Sequence, residues 1–237
     1  MEWRERDGVR WLEADLGGAR AAFSTRLGGV SEPPFDTLNL GLLTDDGEQA
    51  VAANRQRLTA ALGLEPEQVV FARQVHGTRL VDQPRDTGAV EADGHVVTEP
   101  GLVPLVFVAD CLPVALFGPG GLVLVHAGWR GLAGGILAKG AEAVEATAAA
   151  VGPGIGPCCY EVGDEVLEAF AGPGEGIAEG RMLDLPGIAR RLLGEAGVEQ
   201  VEVAGLCTSC QEELFFSHRR DHGRTGRQAG VAWIEVG

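Results

Sequence analysis

LVLVHAGWRG, residues Leu122–Gly131, is the stretch on which the reading of this chain turns. Four aliphatic residues in a row leave no polar face, so they predict a strand buried on both sides. The same run then delivers His126, Trp129 and Arg130, with glycines between them. A histidine and an arginine are costly to bury without partners. The end of this strand is therefore expected to face a site. Two further stretches read the same way. VVFARQVHG, Val69–Gly77, is an apolar strand leading into His76. LVFVADCLPV, Leu105–Val114, is an apolar strand leading into Asp110 and Cys111.

Three strand ends thus each offer one metal-capable side chain: His76, Cys111 and His126. Their separations of 35 and 15 residues are too long for the close ligand pairs of a zinc finger. They suit a site assembled from neighbouring strands, where rigid elements hold the ligands. Two imidazoles and a thiolate leave a fourth position on zinc for water, which is the catalytic pattern. Water so bound ionises near neutral pH. Plainer readings stand beside this one. A histidine at a strand end can simply be hydrogen-bonded, and a buried cysteine can pack as a small hydrophobe. Cys111 could also be a nucleophile with His126 or His76 as its base. A zinc-stabilised binding module without catalysis is a further possibility.

After His126, AGWRGLAGG precedes a predicted helix. Backbone N–H groups at a glycine-rich helix start attract anions, and Arg130 adds a planar fork suited to phosphate. The alternative is a tight turn with Arg130 paired to an acid. Arg26 and Arg73 are the other candidates for holding a substrate anion. Asp110 is a candidate base or an orienting group for a ligand, and Asp93 is a second candidate base. SHRRDHGRTGRQ, Ser217–Gln228, is a basic cluster that is either a solvated face or one wall of an anion pocket.

The surrounding chain sets the fold class. VRWLEADL and ARAAFST read as a hairpin around Gly17 and Gly18, followed by a long Gly- and Pro-rich loop from Arg26 to Asp46. GEQAVAANRQRLTAALGL has helical spacing, with Val51, Leu58 and Leu62 on one side. Short strands follow at RLVDQ, HVVTE, PLVFVAD and PVALFG. GGILAKGAEAVEATAAAVG reads as one helix with Ile136, Gly140, Val144 and Ala148 facing inward. GDEVLEAF and LPGIARRLLGEAG are further helices, and VEVAGL and GVAWIEV are closing strands. Strands come in runs and not in strict alternation with helices. That predicts an α+β fold of a single domain spanning 1–237.

Bulk properties narrow the function. The 237 residues carry a formal charge of −15, and 45% of them are hydrophobic. An acidic chain lacks the footprint for nucleic acid or an anionic membrane, so any basic site must be local. No stretch is long and apolar enough to span a bilayer, and MEWRERDGVRW lacks the apolar core of a signal peptide. The expectation is a cytoplasmic protein that binds neither membrane nor nucleic acid. The five cysteines are then thiols or metal ligands. CTSC, Cys207–Cys210, has redox or zinc spacing that Cys158 and Cys159 could complete, but ordinary thiols are the simpler reading.

FSTRLGGVSEPPFDTLNLG, QVHG, ADCLPV, HAGWRGL, GPGIGPCCYEVG and FFSHRRDHGRTGRQ occur in that order over nearly the whole chain. This set resembles the YfiH-like family, also called the laccase-domain or multicopper polyphenol oxidase family. The resemblance implies layered mixed β-sheets flanked by helices. It implies a catalytic zinc on His76, Cys111 and His126, and phosphorolysis of the purine nucleosides adenosine, inosine and methylthioadenosine with phosphate, together with adenosine deamination. It also brings a hydrolase (amidase) role on a peptidoglycan precursor, and the older copper-dependent phenol oxidase activity. A multicopper centre fits poorly with five histidines and no His-x-His pair, so copper is expected to be adventitious. The H-x-E motif of zinc deaminases is absent, which leaves the base for deamination open.

Overall fold

The computed structural model describes residues 1–82, 88, 90–171 and 176–236. The strands are β1 Glu2–Arg6, β2 Val9–Asp15, β3 Ala19–Ser24, β4 Val69–Val70, β5 Leu80–Asp82, β6 Gly94–Val97 and β7 Val103–Val108. They continue as β8 Leu112–Gly118, β9 Gly121–Ala127, β10 Ala148–Val151, β11 Ala178–Glu179, β12 Met182–Leu183, β13 Gln200–Val203 and β14 Gln228–Ile234. The helices are α1 Glu48–Leu62, α2 Trp129–Ala133, α3 Ile136–Val144, α4 Asp164–Ala169 and α5 Leu185–Glu195.

Two six-stranded sheets are formed, in the orders β1-β2-β3-β14-β7-β4 and β13-β10-β8-β9-β6-β5. Most pairs are antiparallel; β4–β7, β10–β13 and β5–β6 are parallel. The fold is therefore mixed α+β, as the run of strands implied. Three cores separate four layers. Leu58 and Ala61 of α1 pack with Val9, Trp11, Leu105 and Val231 on the outer face of the first sheet. Leu12, Phe23, Val106, Leu122, Leu124 and Ala150 fill the space between the sheets. Val114, Leu116, Val123 and Val125 meet Ile136, Val144, Ile188 and Leu193 of α3 and α5 on the far side. Neighbouring residues of β9 thus serve opposite cores, and all seven of its residues are buried. That is why LVLV shows no alternation in the sequence.

Some elements differ from the sequence reading. VVFARQVHG is strand only at Val69–Val70. From Arg73 the chain leaves the sheet, with a lone bridge between Arg73 and Glu91, because the amides of Val75, His76 and Gly77 turn toward a buried carboxylate, Asp93. The single helix read at 134–152 is α3 followed by β10. The helix ends where Glu145 turns left-handed, and Ala148–Val151 then pair with β8 and β13. Ala148 and Ala150 face the core between the sheets while Ala149 and Val151 face the helices. Cross-strand pairing there outweighs the helix propensity of alanine. β1 extends the first hairpin and carries no apolar alternation, and all five of its residues are exposed. Of the strand read at RLVDQ, Gln83 lies outside the described residues.

Candidate metal centre

Cys111 sits in the tight turn joining β7 to β8, and His126 is the penultimate residue of the neighbouring β9. Pro113 pairs directly with His126 across the two strands. His76 arrives from the loop after β4 in a left-handed conformation, φ 59°. The ligand-capable atoms of His76, Cys111 and His126 all lie within 4.8 Å of one another. The two imidazoles meet edge to face at 4.8 Å between centroids. The three candidates singled out in the sequence converge, although His76 comes from a loop and not from a strand end.

Asp93 organises this convergence. Its carboxylate is fully buried and accepts from His126 Nδ1 at 2.8 Å and from the amides of His76 at 2.9 Å, Gly77 at 2.7 Å and Val75 at 3.2 Å. One residue thereby fixes the ring of one imidazole and the loop that carries the other. With Nδ1 engaged, His126 presents Nε2 to the site, the arrangement by which carboxylates orient metal-binding histidines. Burial by itself would raise the Asp93 pKa, but His126 and the amides outweigh it and hold the group below its ordinary value. Burial likewise opposes charge on Cys111 and His126. Their mutual attraction wins, lowering the thiol and raising the imidazole. Gly128 matters for close approach: a Cβ there would lie 3.0 Å from Cys111 Sγ and 3.3 Å from His76 Cδ2. Two imidazoles, a thiolate and a buried carboxylate behind one ring form a donor set that fits zinc.

The triad opens onto a cavity of about 730 Å³, within the ordinary range of small-molecule sites. Arg55, Arg73, Arg130, Arg219 and Arg227 line it, and Asp110 is the sole acid among its described lining residues. In a chain of net charge −15, the cavity lining thus has an excess of cations. Arg73 and Arg130 have exposed side chains paired with Glu91 at 3.0 Å and Glu165 at 3.9 Å. Arg130 also stacks on Trp129. It lies inside the five-residue α2 and not ahead of the longer helix, which starts only at Ile136. The anion site read at a long helix's N-terminus is accordingly reduced to the guanidinium itself. The basic cluster at Ser217–Gln228 does form a wall, through His218, Arg219 and Arg227.

Two expectations about site residues need correction. Arg26 does not line the cavity. Its guanidinium is consumed by the carbonyl and carboxylate of Asp36, by the Glu212 carbonyl and by the Phe216 ring, so it fastens the long loop to the C-terminal segment. Asp110 does line the cavity, but both its oxygens are engaged. Thr208 Oγ1 donates to one and the Arg219 amide to the other, each at 2.7 Å. With φ 84°, Asp110 holds the strained turn that presents Cys111. The sequence reading missed Phe71, Phe107 and Tyr160, which contribute aromatic rings to the wall, and Arg55, whose guanidinium lies 4.6 Å and 4.7 Å from the two phenylalanine rings. Phe71 and Phe107 lie within the two ligand-bearing stretches and were legible there. Arg55 on α1 carried no local signal.

Residues 20–235 match the model of a family described as multi-copper polyphenol oxidoreductase laccase. The chain is 40% identical over 233 residues to the Escherichia coli protein named purine nucleoside phosphorylase YfiH, covering 92% of this chain and 94% of that one. It is 42% identical over 236 residues to the Mycobacterium tuberculosis purine nucleoside phosphorylase Rv2149c, covering 91% and 92%. The crystal structure of YlmD from Geobacillus stearothermophilus superposes with a TM-score of 0.89 at 34% identity, over 98% of both chains. The chain belongs to the YfiH-like, laccase-domain family of purine nucleoside phosphorylase homologues.

Proposed function

We propose that this chain is a zinc-dependent purine nucleoside phosphorylase acting on adenosine, inosine and methylthioadenosine, with adenosine deamination as a second reaction. The observation that carries the reading is the meeting, in one cavity, of the His76–Cys111–His126 donor set with five arginines of an otherwise acidic chain. His76, Cys111 and His126 would hold the ion, and Asp93 would orient His126. When bound, zinc supplies Lewis acidity toward an oxygen or a water. Arg130 and Arg73, with exposed guanidinium groups, would receive phosphate. Phe71, Phe107 and Tyr160 offer rings against which a purine can stack. In phosphorolysis a phosphate oxygen bonds to the ribose anomeric carbon while the carbon–nitrogen bond to the base breaks, and the base leaves with the electron pair. Holding phosphate and nucleoside together is the chain's main contribution to that step.

A second reading, a hydrolase with Cys111 as nucleophile, draws on the attraction between the Cys111 thiol and the His126 ring. Copper in the same three donors is also chemically acceptable, although five histidines are few for a multicopper centre. Product analysis with adenosine decides among these. Adenine and ribose 1-phosphate should form only when phosphate is present, while inosine should form without it. Arg130→Ala should slow phosphorolysis by about tenfold or more, as expected for a lost charge-assisted bond, and spare deamination. Equal loss in both would assign Arg130 to general binding or folding. Release of the base that is indifferent to phosphate in the unmodified protein would favour the hydrolase.

A further inference from the structure

Four of the five cysteines lie outside the cavity lining. Cys158 and Cys159 sit in the loop between β10 and α4, and Cys207 and Cys210 in the loop after β13. Their sulfurs all lie within 4.8 Å of one another. Cys210 Sγ is 3.3 Å from both Cys158 Sγ and Cys159 Sγ, so one sulfur has two partners at equal distance. A disulfide would account for only two of the four. The Gly156 amide donates to Cys207 Sγ at 3.2 Å, and the Cys210 amide is directed at the same atom. Such N–H donors favour a thiolate over a thiol.

The two loops are prearranged by their backbones. Gly154 and Cys207 form a bridge, Thr208 N–H donates to the Gly154 carbonyl, and Tyr160 N–H donates to Gly156. A Cβ on Gly156 would stand 3.3 Å from Cys207 Cβ and 3.5 Å from Cys158 Sγ. A side chain there would be tight against Cys207, so glycine eases the approach. Four sulfurs around one centre is the donor set of a closed structural zinc site.

We propose that Cys158, Cys159, Cys207 and Cys210 bind a second metal ion, a zinc held by four thiolates that clips these two loops together. The thiol protons pass to solvent as the ion binds. The clip joins residues about 50 positions apart, and closing so long a segment constrains the unfolded chain. The same loops carry Tyr160 of the cavity wall and Thr208, the donor to Asp110. The second ion therefore braces the site without entering it.

The test is a metal count by native mass spectrometry on protein purified under reductant and without chelator. Two zinc ions per chain are expected in the unmodified protein, one in Cys111→Ala, and one in the Cys158→Ser, Cys210→Ser double variant. Cobalt loaded into Cys111→Ala should show the intense sulfur-to-cobalt absorption of a tetrathiolate, since the remaining cysteines are then its only thiolate source. The double variant should also melt several degrees lower. A single zinc in the unmodified protein that Cys111→Ala removes would overturn the proposal. So would iron at the four sulfurs, or a Cys158–Cys210 disulfide in the reduced preparation. Should either variant fail to fold, the zinc count and cobalt spectrum of the unmodified chain decide. None of these readouts depends on nucleoside turnover.

Discussion

Asp93 accepts four hydrogen bonds from two segments that each carry a candidate ligand. Asp93→Asn keeps the volume but turns one acceptor into a donor facing N–H groups. Zinc affinity is expected to fall about 10–100-fold, the usual cost of losing a carboxylate behind a metal-binding imidazole. Competition titration against a chelator measures it, and unchanged affinity would mean that Asp93 only builds the loop. A second residue contributes to the acid response. His95 on β6 is almost fully buried, and its Nδ1 has no hydrogen-bond partner among the described residues. Burial lowers its pKa to about 4 from 6.5, against the opposing pull of Asp93. The folded state thus keeps His95 neutral while the unfolded chain takes up a proton. That contribution to stability is complete above pH 6.5 and is lost as the pH falls toward 4, by up to about 3 kcal/mol. Urea midpoints across this window should fall with acidification, and His95→Leu should flatten the slope. An unchanged slope would place the titration elsewhere.

At the scale of elements, β9 supports two cores and ends in the candidate metal centre. Leu124 is fully buried between the sheets, while His126, two residues on, faces the site. Leu124→Ala should cost about 2–5 kcal/mol, the usual range for a large-to-small change in a packed core. Leu43, by contrast, is 91% exposed, and its replacement by Ala should change stability by no more than about 0.5 kcal/mol. Urea unfolding of the two variants side by side checks the contrast. Comparable losses would contradict the layered packing. The helix-to-strand change at Ala148–Val151 belongs to this scale as well. Alanine favours a helix in isolation, but residues of this size alternating between two cores fit a strand squeezed between β8 and β13.

For the whole molecule the dominant fact is charge. Thirty-four acids against nineteen lysines and arginines give self-repulsion that the compact state must bear, and five of the arginines are spent on the cavity. Adding salt toward physiological ionic strength should raise Tm, because screening relieves repulsion between exposed acids. Phosphate affinity should weaken over the same range if it rests on the cavity arginines. Calorimetry and a phosphate titration at several salt concentrations measure both. A Tm that falls with salt would mean that surface ion pairs, such as Arg20 with Asp15 and Glu235, outweigh the excess of acids.

The sequence alone singled out His76, Cys111 and His126 as candidate ligands, because each lies at or beyond the end of an apolar run. It also determined the mixed fold class and the existence of a basic cluster at Ser217–Gln228, since runs of strands and clusters of one charge are local properties; that the cluster is a wall and not a solvated face was decided by the structure. Only the tertiary structure decided the rest. Arg26 and Arg73 look alike in sequence, yet one is consumed by Asp36 and Phe216 and the other reaches the cavity. Asp110 reads as either a base or an orienting group until Thr208 and Arg219 arrive from about a hundred residues away and engage both its oxygens. The Cys158–Cys159 and Cys207–Cys210 pairs become four converging sulfurs only once β10 pairs with β13 and brings their loops together. In each case the deciding contact spans distant segments, and local pattern carries no record of which distant partner a polar side chain meets.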